Sequence, residues 1–309
     1  MKARLLSFAA LVLSVSLLFT ACTKEAKNDE TDYTTESATH SDDQNRFSNE
    51  VDGVANDINI QLEATPGFGR TGRIESLICD ATIAVDTVSN PRTITITYNG
   101  TNCLGNRTRT GVVIVAMAQG THWANPGAVL TVTYQNLKIT RLSDNKSITI
   151  NGTQTFTNVS GGLLINLPTL PAITHTITSS NMSVKFDDNS IRSWQVARKR
   201  VFTYAGGVVI TVTGMHTDGT TTGIAEWGTN RFGNTFTTAI TSPLIFKQDC
   251  SFRLTSGVVT HTTTHFNATV TFGLNAAGNP TSCPGAGNYY LKIVWTGPLG
   301  VAHTAIYPY

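Results

Sequence analysis

The chain has 309 residues, with 22 Lys and Arg against 20 Asp and Glu, a net charge of +2 and 40% hydrophobic residues. Its five cysteines include no two spaced two to four residues apart, which excludes the usual zinc-ligand spacing. The charges are unevenly placed: residues 23–53 carry nine acids against three bases, and residues 54–309 carry 17 bases against 11 acids.

Lys2 and Arg4 form a basic start, and Leu5 to Thr20 form an apolar run too short for a comfortable membrane span of about 20 residues. Small residues then lead into Cys22. Leu18-Phe19-Thr20-Ala21-Cys22 resembles the lipobox of bacterial lipoproteins, with Phe19 a departure three places before the cysteine. The resemblance implies a signal peptide over 1–21, a lipid on Cys22 and attachment to a membrane through that lipid. Thr23, where an Asp would favour inner-membrane retention, implies the outer membrane. The charged run Lys24 to Glu30 resembles surface-export signals and leaves a periplasmic or surface-facing domain both open.

Residues 22–43 are acidic and nearly free of large apolar side chains, so they read as a disordered tether unable to offset its own ordering entropy. A short helix is expected over 44–62. Phe47, Val51, Val54, Ala55 and Ile58 recur at spacings of three and four, and Asp42 or Asp43 would cap its start.

From residue 63 the chain alternates β-branched and polar residues, with Gly, Asn, Asp and Pro as punctuation. In Thr93 to Tyr98 the even positions face a core, and Leu130, Val132 and Tyr134 repeat the pattern. The expected class is all-β: one antiparallel β-sandwich over 63–309, or two duplicated lobes over 63–180 and 181–309. The duplication rests on a strand, a Cys-bearing turn and a strand occurring around Cys103 and again around Cys283. With Cys22 lipidated, proximity favours disulfides Cys79–Cys103 and Cys250–Cys283 over the two other connectivities.

The Cys22 lipobox, the block Thr95 through Cys103 to Gly111, Gly127 to Tyr134, Trp194 with Arg198 and Arg200, and Gly228 to Arg231 through Cys250 together resemble a group of uncharacterised Bacteroidota-type β-rich lipoproteins. That resemblance implies class and place and carries no known activity.

Catalytic motifs fail on context. Gly67 to Gly72 matches a dinucleotide fingerprint, but Pro66 precedes it and an apolar strand follows where a helix is needed. Ser143-Asp144-Asn145-Lys146 overlays two penicillin-binding signatures on one expected hairpin turn. His261 and His265 sit four apart on a strand, too far for one metal ion, and Asp187 to Asn189 and Asp218-Gly219 read as turns. Glu226 beside Trp227 is the best single acid, more simply a solvent-facing strand residue, and a glycosidase needs two. No catalytic residue, metal or cofactor is expected. The one ligand-binding candidate is the strand face of Trp194, Arg198 and Arg200, suited to an anionic glycan. The reading is a lipid-anchored envelope protein with a non-catalytic binding or structural role and a glycan or envelope protein as partner. The export signal argues against nucleic acid. Its rivals are a hydrolase acting on glycans and a fimbria-like subunit donating the strand segment Tyr289 to Tyr309.

Overall fold

The structure, a computed structural model, describes residues 33–65, 67–68, 78–179, 181–285, 287–296 and 300–309. The expected signal peptide 1–21, Cys22, the first part of the expected tether and most of the glycine-rich motif lie outside the described residues.

One helix, α1 (Thr34–Ala64), opens the fold. Thr65 at its end is extended (φ −101°, ψ 120°) because the following residue is Pro66, which disfavours helical backbone before it. The apolar stripe Phe47, Val51, Val54, Ala55, Ile58 and Leu62 is almost wholly buried. Each fully buried Val, Ile, Leu or Phe contributes about 1.5–3 kcal/mol. Much of its polar side is buried too: Ser37, His40, Ser41, Asp43, Arg46, Glu50, Asp52 and Asn59 lie inside. A surface helix buries one stripe, whereas α1 is enclosed on nearly every side.

What encloses it, among the described residues, is a single sheet of sixteen strands, β1 (Ala81–Asp86) to β16 (Ala302–Pro308). The main path runs β1, β2 (Arg92–Thr101), β3 (Arg107–Met117), β4 (Ala128–Arg141), β5 (Ser147–Asn158), β6 (Ile173–Ser179), β8 (Ile191–Tyr204), β11 (Thr221–Thr229), β12 (Thr235–Lys247), β13 (Arg253–Thr263), β14 (Asn267–Leu274), β15 (Tyr290–Thr296) and β16, with β7 (Ser183–Phe186), β9 (Val208–Gly214) and β10 (His216–Asp218) paired off it, and every pairing is antiparallel. Strands β2, β3 and β4 meet one side of the helix, and β8 and β11 meet another. The sheet therefore curves around the helix. Bulges assist the bend. Gly111 on β3 has φ +115°, and a Cβ there would collide with the backbone of Asn136 and Leu137 on β4, where the register slips.

Alternation reads out as expected in the central strands. Ile94, Ile96, Tyr98, Leu130, Val132 and Tyr134 are buried, with polar neighbours outward. The disulfides are Cys79–Cys103 and Cys250–Cys283, each with Cα atoms 5.3 Å apart. Among the described residues no helix is long and apolar enough to cross a membrane.

Three expectations are corrected. The helix begins at Thr34, so the C-terminal part of the expected tether, residues 34–43, is ordered and largely enclosed, and the helix over 44–62 is neither short nor capped by Asp42 or Asp43. The all-β class holds, but the two lobes 63–180 and 181–309 do not separate, since β6 (Ile173–Ser179) pairs directly with β8 across that boundary. Two apolar clusters remain visible within the single unit, one around α1 and one between β8 and β15 (Tyr290–Thr296).

Candidate functional site

The acids of α1 step around its circumference, and arginines of the sheet meet them at each step. Glu50 and Asp57 lie two turns apart on one face. Arg107 and Arg109, two apart on β3, point to that same side. Arg107 pairs with Glu50. Arg109 donates to Asp57 Oδ2 at 2.8 Å and clamps both oxygens of Asp80 at 2.7 and 2.6 Å. Tyr98 donates its hydroxyl to Asp57 at 2.8 Å, and the Arg109 guanidinium lies 4.3 Å from its ring centre.

Ser48, Asp52 and Asn56 recur every four residues and face β8. Arg198 donates to Ser48 Oγ at 2.6 Å and to Asp52 Oδ2 at 3.3 Å, and Arg200 donates to Asn56 Oδ1 at 2.9 Å. Glu226 of β11 closes the cluster. It pairs with Arg198, accepts the Ser48 hydroxyl on Oε1 and accepts Trp194 Nε1–H on Oε2 at 2.7 Å. Toward the start of the helix, Arg231 grips Asp43 through two bonds of 2.6 Å, Arg141 binds Asp42 at 2.8 Å, and Glu36 accepts Asn234 at 2.6 Å.

Burial dominates the electrostatics. It pushes Glu50 and Asp57 up, against the pull of Arg107 and Arg109 on the first and Arg109 on the second. It pulls Arg198 and Arg200 down, opposed by Asp52. For Arg109 burial also acts downward, but the Asp80 hydrogen bonds with Tyr98, Asp57 and Asp80 nearby raise it overall. Three imidazoles lie within the same interior. His40 of α1 is 5.0 Å from His261 of β13 (Arg253–Thr263) between ring centres and 4.7 Å from Phe236. Burial, then His261, holds His40 well below the usual imidazole value, and burial pulls His261 to about 4. His175 on β6 stands opposite Arg200, and burial followed by that arginine pulls it to about 3.

The predicted ligand face is therefore not a surface. Trp194 is 0%, Arg198 2% and Arg200 3% exposed. All three belong to the grip on α1, so the ligand-binding assignment to Trp194, Arg198 and Arg200 is overturned. Glu226, expected at the solvent, is 0% exposed. His261 does not pair with His265: the first lies within β13 beside Thr238, and the second lies in the following turn against Glu36. Nothing nearby in sequence marks His40; Asp42 and Asp43 fall at the end of the expected tether, and Glu50 and Asp52 fall on the polar side of the expected helix.

Among the described residues four carboxylate pairs come together on a shared arginine: Asp52 with Glu226, Asp57 with Asp80, Asp42 with Asp144 and Asp43 with Asp187. In each an arginine lies between the acids, where a glycosidic bond would have to lie. Among the described residues one group has the proximity of metal ligands, Asp249, Cys250 and Cys283, and its two cysteines are joined in a disulfide. Ser143 to Lys146 form the turn between β4 and β5 (Ser147–Asn158), with Asp144 bound to Arg141. The arrangement is chemically a set of internal counterions. No known protein family, curated protein or solved structure matches this chain.

Proposed function

We propose that this chain is a lipid-anchored protein of the bacterial outer membrane, with a non-catalytic structural or binding role. Its helix couples the anchor to the sheet. One observation carries the non-catalytic part: the acids and bases brought together in the interior neutralise each other across the helix–sheet interface, and the acid best placed by sequence, Glu226, has both oxygens occupied by Ser48 and Trp194. A general acid or base needs a free oxygen within reach of substrate.

The envelope part is supported by Cys22 behind its apolar run and by the two disulfides, which suit an oxidising compartment. The helix begins 12 residues after Cys22 in sequence. A lipid there would hold the domain within about 40 Å of the bilayer, and only if every intervening residue were extended. Two acyl chains give durable anchoring where one does not. The test is Cys22→Ala in the native host. The variant is expected to lose acyl labelling and leave the membrane on carbonate washing. Retention with normal trimming refutes the anchor. Turnover of envelope glycans by the purified wild type, abolished by Glu226→Gln with the fold intact, refutes the non-catalytic reading.

A further inference from the structure

The sheet ends in two edge strands, β1 and β16, and they are not alike. An edge presents unpaired backbone N–H and C=O groups, and proteins that stay monomeric blunt it with lysines, bulges, proline or brevity. Strand β16 reads Ala302-His303-Thr304-Ala305-Ile306-Tyr307-Pro308. It holds no Lys, Arg, Asp or Glu, pairs with β15 over all seven residues without a register shift, and carries its one proline at the last position. Val301 beside it is 47% exposed, Ile306 36% and Tyr307 38%. Among the described residues nothing pairs with its outer side.

The edge is also held rigid. Tyr309, next after the strand, donates its hydroxyl to the Leu254 carbonyl at 2.7 Å and accepts the Gly273 N–H at 2.9 Å. Its ring stacks on Tyr289, and His303 stacks on Trp295 with ring centres 5.3 Å apart. A preorganised edge loses little freedom when another strand joins it.

We propose that β16 is a self-pairing interface, through which two copies of the chain join antiparallel about a two-fold axis and continue one sheet into the other. The sequence is self-complementary in that arrangement. With Ala305 on the axis, His303 faces Tyr307 and Thr304 faces Ile306, and no like charges are opposed. Cross-strand pairs of this kind are the unit of sheet stabilisation. A two-fold contact uses the same patch on both partners and closes, so the assembly stops at two. The segment expected as a donor thereby acts without leaving its own sheet: Tyr290–Thr296 and Ala302–Pro308 already form β15 and β16 in place.

The test uses the full chain purified in detergent. Ala305→Cys is treated with a short bismaleimide, with the unsubstituted chain and the mid-sheet position Lys199→Cys as controls. The expected result is a covalent dimer from Ala305→Cys alone. Thr304→Lys combined with Ile306→Lys sets like charges opposite each other across the axis. It should weaken the dimer at least about tenfold in light scattering, more than either substitution singly. If the double variant does not fold, Thr304→Lys alone, at an exposed position, still has to weaken the dimer. A monomer at all concentrations overturns the proposal. So do open-ended ladders without a 305–305 link, which would mean pairing of β16 with β1 of the next copy.

Discussion

Arg198→Met removes the cation that three groups share. The guanidinium is 2% exposed and serves Ser48, Asp52 and Glu226 at once. Methionine supplies comparable length without charge, so the change leaves two buried carboxylates, with Arg200 still acting on Asp52. Breaking a buried pair by removing one partner costs about 3–5 kcal/mol, because the remaining charge stays desolvated. For a unit of this size each kcal/mol lowers the melting temperature by about 2–4 °C, so the expected fall is roughly 6–20 °C. Adding Glu226→Gln removes one of the stranded charges, keeps an acceptor oxygen for Trp194 and turns an amide N–H toward the Ser48 oxygen, which can accept it. The double variant should therefore be more stable than the sum of the two single losses predicts, by about 1–3 kcal/mol. Urea unfolding followed by tryptophan fluorescence measures all four proteins, and Trp194 sits inside the network as a reporter. A loss below about 1 kcal/mol for Arg198→Met, or strict additivity in the cycle, would refute the view that this cluster is mutually dependent.

Deleting residues 34–43 should destabilise the domain severely, since it removes Glu36, His40, Asp42 and Asp43 with their sheet partners; an unchanged urea midpoint would count against the enclosed helix. His261 titrates near 4 when folded and near 6.5 when unfolded, so the unfolded chain binds more protons between those values. Its contribution is complete above 6.5 and is lost as pH falls toward 4, amounting to roughly 3 kcal/mol. His40 acts in the same direction. His261→Leu should flatten that slope, and an unaltered pH profile of the unfolding midpoint would show the assignment to be wrong. Replacing Cys79 and Cys103 by Ala opens a link between residues 24 apart and should cost about 3–4 kcal/mol, read as a shift in the urea midpoint relative to wild type.

The strand grammar was readable because it is local. Ile94, Ile96 and Tyr98 bury every second side chain within one stretch, and period two is enough to see it. The apolar stripe of the helix was readable for the same reason. What could not be read locally was the polar side of that helix. Asp52 and Arg198 lie 146 residues apart, and Ser48 and Glu226 lie 178 apart. Counted alone, the segment looked too charged to fold. Yet the −6 of residues 23–53 and the +6 of residues 54–309 are both visible in the sequence, and their complementarity is the sign of the enclosed helix. The arginine–tryptophan face failed for a related reason. Period two places Trp194, Arg198 and Arg200 on one face, but only the tertiary partner decides whether that face meets water or an acidic helix.

The enclosed helix also sets an order of events during synthesis. α1 is the first described element to emerge from the ribosome, and it emerges with few of its partners. The part of its polar side that faces β8, β11 and Arg231 stays solvated until those are made, 150 to 188 residues later in sequence. Contacts of such span must close long loops before they return anything, and chains dominated by them fold slowly. The domain's first element thus waits for its last third, and the chain spends its synthesis without a completed core.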